Sequence, residues 1–565
     1  MTSSGTSGLH RHRVGVVALA ITFAFALVAS GCGGNTTASD SPNGTADVNK
    51  GSPVEDESNP ESGGKLVVGI PGESNGWNPV VNQWADAGSL AGSSMIEPLI
   101  TLDKDGVPSG FLLEKWAHNE DFKQWDLTLK PAITFHNGEK LDGTALKGSI
   151  EASFLTGLTS VALKPVYDKV EVTGPLSVKV FLKQKMASYM VALSAAGYAM
   201  APEMLKREDQ GVLNPIGTGP FVFQEWKQDA FLKVKRFDNY WQKDKDGKSK
   251  VYLDEIEFRP IPDDSTKEKA MQSKDVDVVL TTSSDVTNRL EGLADEFKVI
   301  RDGKSERTYL QLNTAEGEQN KGNPFTNIHA RKAVAYATNR QAIADLIGNS
   351  LSISTSPYRN DSKWALPEDQ TGALPYDPEK AKAELELYKK DTGKSELTFK
   401  FTGLTVAEDL RLMQALQAQW QEVGITSTVD AIEQVKFISI FALGFYQLTW
   451  SRLYGGTDPD SNYVFFSQDT VGPVGGLSIN FAHYSSEAMQ KNLRTVRENE
   501  DFATRKAAND KIIKELNEQV THIWLFDTPY AIIARNNVYG LNIFRTQPFG
   551  NFNPKPYWND VWIKK

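Results

Sequence analysis

The longest uncharged apolar stretch of the chain lies near its start. Val14–Ala29 is a run of 16 residues without a charge, preceded by Arg11 and Arg13. A helix needs about 20 residues to cross a bilayer, so this length suits the core of a secretory signal better than a membrane span. The run ends in Ala29-Ser30-Gly31-Cys32. From 33 to 64 the pattern reverses. No aromatic residue occurs, Val48 and Val54 are the only large aliphatics, and six acids outnumber one lysine. Such a segment buries too little to offset its ordering entropy, so a disordered acidic tether is expected.

Beyond Gly64 the periodicity of a folded body sets in. Lys65–Ile70 is a short β-rich run bounded by Gly64 and Pro71 and reads as the first strand. Leu176–Lys183 and Phe231–Arg236 alternate with a partial period of two. In 405–423, Val406, Leu410, Met413, Leu416, Trp420 and Val423 recur at helical spacing. Thr405 and Glu408 form a capping box there, and Gly424 supplies the stop. Ile425–Val429 then reads as a strand, and 330–347 and 486–519 as helical stretches. Strands and helices mix without an internal repeat, which predicts an α/β or α+β body in more than one lobe.

Composition narrows the classes. The 565 residues are 40% hydrophobic and 23% charged, an ordinary globular balance. With 61 Lys+Arg against 71 Asp+Glu the chain carries −10, which argues against a nucleic-acid partner. Cys32 is the one cysteine, so no internal disulfide and no CxxC zinc site can form.

Catalytic motifs fail one by one. Gly-Lys-Ser occurs at 247, 303 and 393, but Gln242, Lys298 and Tyr388 stand where a phosphate loop needs its first glycine. Gly217-Thr218-Gly219-Pro220 lacks the third glycine of a dinucleotide fingerprint. His118, His136, His329, His483 and His522 are not spaced to share a helical face, so neither a metal nor another cofactor is expected. In Asp103-Lys104-Asp105-Gly106 the glycine comes too early for a calcium loop, which leaves a solvated turn. Distant carboxylates could still assemble a hydrolase.

Several motifs in order carry a family resemblance. They are Phe135-His136-Asn137-Gly138-Glu139-Lys140-Leu141, Pro215-Ile216-Gly217-Thr218-Gly219-Pro220-Phe221, Asn239-Tyr240-Trp241 and Leu253-Asp254-Glu255-Ile256. Val276-Asp277-Val278, Asn313-Thr314, Pro324-Phe325, Ala333–Arg340, Tyr376–Ala381, Gly424-Ile425 and Asp458-Pro459-Asp460 follow. Together they resemble the extracytoplasmic solute-binding proteins of ABC importers, family 5, which includes dipeptide- and oligopeptide-binding proteins. Asn137, Lys274, Asn327 and Asn339 depart from the usual residues.

The resemblance implies an α/β, two-lobed fold of the periplasmic-binding-protein type II kind, with a hinged cleft and an extra domain inserted in lobe I. Lobe I would comprise 65–313 plus 521–565, with the insert at about 90–198, and lobe II would comprise 314–520. The hinge strands would be 308–313 and 523–526. It further implies a receptor without catalytic activity that hands a peptide-like or other small solute to a permease, with ATP hydrolysis on a separate subunit. The Ala29-Ser30-Gly31-Cys32 segment resembles a lipoprotein cleavage box, although Ala29 stands where leucine is usual. Cleavage would remove 1–31, and a lipid on Cys32 would anchor a monomer to the outer face of the cell membrane. A secreted carboxylate-based hydrolase and a non-transporting sensor on the same body are the alternatives.

For the ligand, Trp450-Ser451-Arg452-Leu453-Tyr454 is the best candidate region, because it follows an expected strand at 445–449. Trp450 and Tyr454 could stack on a solute, Arg452 could pair with a carboxylate, and Trp77 could contribute from the other lobe. Core packing competes for each aromatic, and a surface salt bridge for Arg452. Gly455 stands where peptide binders of this family carry an acid for the ligand's amino terminus, and Gln434 where a tryptophan is expected after Glu433. Asp458 is the remaining candidate acid, so a saccharide-like solute fits as well as a peptide.

Overall fold

The structure, a computed structural model, describes residues 59–541 and 556–565 except 83, 85, 104–105, 157–159, 302–305, 349–350, 406, 455–456 and 529. Cys32, the apolar run 14–29 and the tether up to residue 58 lie outside the described residues. The end of the expected tether is ordered instead. Gly63 N donates to the Tyr252 carbonyl at 2.7 Å and Gly64 N to the Asp254 carboxylate at 2.9 Å. Lys565 N bonds back to Glu61 at 3.1 Å. Backbone hydrogen bonds order this piece, which composition alone could not reveal.

Two large sheets organise the body. The first has seven strands, in the spatial order Phe297–Arg301, Ala531–Arg535, Val278–Thr281, Lys65–Ile70, Glu255–Pro260, Phe231–Arg236 and Phe221–Lys227. The second has five, in the order Ile425–Ile432, Leu397–Leu404, Leu448–Tyr454, Glu306–Leu312 and His522–Thr528. The chain passes from one to the other between Arg301 and Glu306 and returns between Thr528 and Ala531. The strands expected at 308–313 and 523–526 thus fall inside the second sheet, which begins at Glu306 and ends at Thr528. Each sheet has its own apolar core, one around Leu66, Val68, Ile256 and Phe258, the other around Leu310, Phe401, Met413 and Trp420.

A third, four-stranded antiparallel sheet lies between Leu113 and Leu182. Its strand Gln124–Leu129 alternates half-buried and buried residues, as a one-faced sheet requires. Two long helical stretches are each broken in two. Asn339 caps Arg340–Ile347 through Ala342 N, and Asp501 caps Phe502–Glu518 through Thr504 N. Both are short polar side chains that bind the free amides of a new helix start, so periodicity alone ran across two breaks. The amphipathic helix spans Ala407–Glu422 and ends at Gly424, whose φ is +85°.

The Pro215–Phe221 and Asn239–Trp241 motifs converge on one buried carboxylate. Glu97 accepts from Tyr240 OH at 2.6 Å, Thr218 Oγ1 at 2.8 Å and Trp241 Nε1 at 3.0 Å. A Cβ on Gly217 would sit 2.2 Å from the Met95 carbonyl, so only glycine lets this loop approach. The His136 ring lies 3.0 Å from the Gly219 carbonyl. Burial pushes the Glu97 carboxyl up to about 7 and the His136 imidazole down to about 4. These motifs build the scaffold of the first lobe.

Candidate ligand-binding cleft

Register decides which ends of the two sheets face each other. Lys65–Ile70 runs parallel to Glu255–Pro260 and Val278–Thr281. Ala531 opposes Thr281 on one side and Arg301 on the other. Both connections therefore leave the first sheet at the carboxyl ends of its parallel strands. Leu397–Leu404 runs parallel to Ile425–Ile432 and Leu448–Tyr454. Glu306 opposes Tyr454 and Thr528. The connections enter the second sheet at carboxyl ends too. Such ends are where α/β sheets leave crevices for ligands.

The Leu448–Tyr454 strand starts later than expected and runs through the candidate region. The turn before it is fixed by Asn313, whose Nδ2 donates to the Gly444 and Tyr446 carbonyls at 2.9 and 3.1 Å. Gly444 adopts φ +69° there. Trp450, Arg452 and Tyr454 are consequently strand residues rather than loop residues after the strand, with Trp450 and Arg452 two apart and so on one face.

Trp450 is buried and donates its Nε1–H to Asp409 at 3.1 Å. Asp409, in the first turn of the amphipathic helix, also accepts from Leu404 N at 3.2 Å. Arg452 is buried too, its Nη1 2.9 Å from the Glu306 carboxylate. On the opposite face Arg307 Nε lies 3.1 Å from Asp527. Thr308 and Thr528 join their hydroxyls at 2.8 Å. Arg452, offered as a partner for a ligand carboxylate with a surface salt bridge as the alternative, instead makes a buried salt bridge to Glu306.

Asp458 is also committed within the chain. It accepts from Arg505 at 2.6 Å and from Asp460 N at 2.9 Å, capping the short helix Pro459–Asn462. Trp77 is wholly buried in the first lobe, edge-on to Trp226 at 5.5 Å. In this arrangement its ring offers no surface to a solute. Gln434 opens the helix Gln434–Ala442 beyond the Ile425–Ile432 strand, and Tyr454 ends the Leu448–Tyr454 strand. The backbone thus brings Trp450, Arg452, Tyr454 and Gln434 to one edge of the second sheet, with Trp77 and Asp458 set apart.

Glu306, Arg307, Asp409 and Asp527 were missed. One signal was available for the first pair. Glu306-Arg307 opens a strand whose seven residues are all buried, and charges rarely enter such a strand unpaired. Glu73, on the loop after the first strand, was missed as well. It accepts from Asp229 N at 2.7 Å and Trp226 Nε1 at 3.2 Å, and burial raises its carboxyl above the usual range. Among the described residues no group of three His, Cys, Asp or Glu side chains could hold a metal ion.

Known proteins match this architecture. A family model described as bacterial extracellular solute-binding proteins, family 5 middle, matches residues 107–472. The chain belongs to this family. It is a solute-binding receptor of ABC importers with a type II periplasmic-binding fold, and not an enzyme. The glutathione-binding protein GsiB of Salmonella paratyphi A is 25% identical over 443 residues, covering 75% of this chain and 82% of its own. The nickel-binding periplasmic protein of Escherichia coli K12 is 24% identical over 469 residues, covering 77% of this chain and 84% of its own. The dipeptide-binding protein of Pseudoalteromonas sp. SM9913, solved with Met-Leu, superposes with a TM-score of 0.76 at 17% identity, covering 89% of this chain and all of its own. Family 5 receptors act outside the cytoplasm, and no described helix here is long and apolar enough to cross a membrane.

Proposed function

We propose that this family 5 receptor closes two lobes over a small solute at the converging strand ends. Lobe I is residues 65–301 with 531–565, carrying an inserted module at about 90–198, and lobe II is 306–528. The observation that carries this reading is that, among the described residues, only two connections, Arg301 to Glu306 and Thr528 to Ala531, join the two sheets. Few residues then need to absorb a rotation.

The charges at the strand ends answer each other within the chain: Arg452 with Glu306, and Arg307 with Asp527. Asp458 is held by Arg505. A peptide-like or saccharide-like solute bound through neutral hydrogen bonds and aromatic faces suits such a site. Tyr454 and Gln434 lie at the strand ends where it would bind, with Trp450 and Arg452 as the buried, internally paired supports beneath them. Native mass spectrometry of gently purified protein tests this, since a closed cleft retains its solute. Tryptophan fluorescence then screens peptides and oligosaccharides. A response to saccharides alone removes the peptide reading, and chemical turnover of the bound compound removes the pure-receptor reading.

Anchoring belongs to the same proposal. Cleavage before Cys32 and lipidation of its thiol would tether the receptor beside its permease and ATPase partners. Radiolabelled lipid should enter the wild-type chain and not Cys32→Ala; label that persists in the variant defeats the anchor.

A further inference from the structure

The two lobes also meet through side chains, apart from their covalent connections. Ser188 N and Oγ donate to the Arg497 carbonyl at 3.1 and 3.3 Å, across 309 residues of chain. Arg497 Nη1 reaches back to the Ala162 carbonyl at 3.4 Å, across 335 residues. Ala162 and Ser188 belong to the inserted module, and Arg497 ends the second-lobe helix Glu487–Glu498.

The Arg497 side chain is held in place from its own lobe. Asp460 takes its Nε at 2.8 Å and Nη2 at 3.4 Å, and the guanidinium lies 3.3 Å over the Tyr463 ring. Charge pairing and ring stacking together fix the planar fork. All four contact residues, Ala162, Ser188, Asp460 and Arg497, are buried. Ser188 precedes the helix Tyr189–Ala196 and makes no side-chain cap bond to it. Its hydroxyl goes to the other lobe, where a cap would ordinarily have kept it. Ala162 packs among second-lobe side chains, including Tyr463, Phe466 and Val496.

We propose that this contact is a clasp: the inserted module holds the lobes closed through Arg497, and so sets solute affinity from outside the cleft. This rests on the two-lobed reading above. Opening about the connections must break the three interlobe hydrogen bonds and expose Ala162. The closed population, and with it affinity, falls when the clasp is weakened, because a receptor's apparent affinity scales with its binding-competent fraction.

The test uses the purified full chain without added solute. Ala162→Trp overfills the clasp from the inserted module, and Ser188→Ala removes one bond with little risk to folding. The expected result is a larger radius of gyration by small-angle X-ray scattering for Ala162→Trp and a smaller increase for Ser188→Ala. Hydrogen exchange of the Ser188 amide should accelerate about tenfold or more in Ala162→Trp, while helix Phe502–Glu518 keeps its protection as a folding control. Faster exchange at Ser188 with an unchanged radius overturns the clasp. A wild-type Ser188 amide that already exchanges freely also overturns it. Neither outcome touches the two-lobed reading, which stands or falls on solute retention and fluorescence.

Discussion

Arg452 Nη1 lies 2.9 Å from Glu306 Oε2, with both side chains at most 3% exposed. Thr308 is the direct partner of Arg452, so Glu306 is its diagonal neighbour on the adjacent strand. Removing one partner strands a buried charge. Arg452→Ala is expected to cost about 3–5 kcal/mol of unfolding free energy, and the double change Arg452→Met with Glu306→Gln much less. Urea denaturation of the singles and the double checks this; equal losses would mean that the two side chains do not act as a pair.

Trp450 and Asp409 make a neutral-to-charged hydrogen bond at 3.1 Å next to the same site. Trp450→Phe keeps most of the apolar body and removes the indole donor. A loss of about 1–3 kcal/mol is expected. Asp409→Asn should cost a comparable amount, since Asp409 also accepts from Leu404 N. Thermal unfolding of both variants is the measurement.

The pH dependence of stability contains two opposed terms. Glu97 is raised to about 7 in the native state, so its contribution is fully present below about 4.5 and lost as pH rises through 7. His136 and His522 are lowered by burial to about 4 and about 3, so theirs are present above about 6.5 and lost as pH falls toward those values. At about 1.4 kcal/mol for each pH unit, Glu97 and His136 are each worth about 3 kcal/mol, and they offset each other between pH 4.5 and 6.5. Glu97→Gln should therefore steepen the loss of stability on acidification. A Glu97→Gln profile that parallels the wild type from pH 5 to 8 would contradict a raised carboxyl.

Two glycines separate close approach from backbone strain. Gly217→Ala drives a Cβ to 2.2 Å from the Met95 backbone, which cannot swing aside, and should cost more than about 2 kcal/mol. Gly138 has φ +86° and nothing within 4 Å of a built Cβ, so Gly138→Ala should cost only about 1 kcal/mol. Chemical denaturation ranks them; the reverse order would refute the close-approach argument.

Much of the fold was legible locally. Lys65–Ile70 occurs with the bounds its flanking Gly64 and Pro71 implied, Phe231–Arg236 with those of its alternation, and the amphipathic helix before Gly424 sits within its expected span. Asn339 and Asp501 show the limit. A polar cap inside a helical period reads like one more solvent-facing residue until the break is seen. At the cleft, Trp450 and Arg452 were singled out, but their partners Asp409 and Glu306 lie 41 and 146 residues away. No spacing rule spans such distances.

The sequence by itself determined the local elements, the order of the family motifs and the absence of cysteine from the folded body. These depend on neighbours along the chain, where propensity, capping and alternation act within a few residues. Only the tertiary structure decided that Thr218, Tyr240 and Trp241 close on Glu97, that Arg452 is neutralised, and that Ser188 reaches Arg497. Those outcomes turn on desolvation and pairing between groups far apart in sequence. A charge acquires its meaning only when the fold supplies, or withholds, its partner.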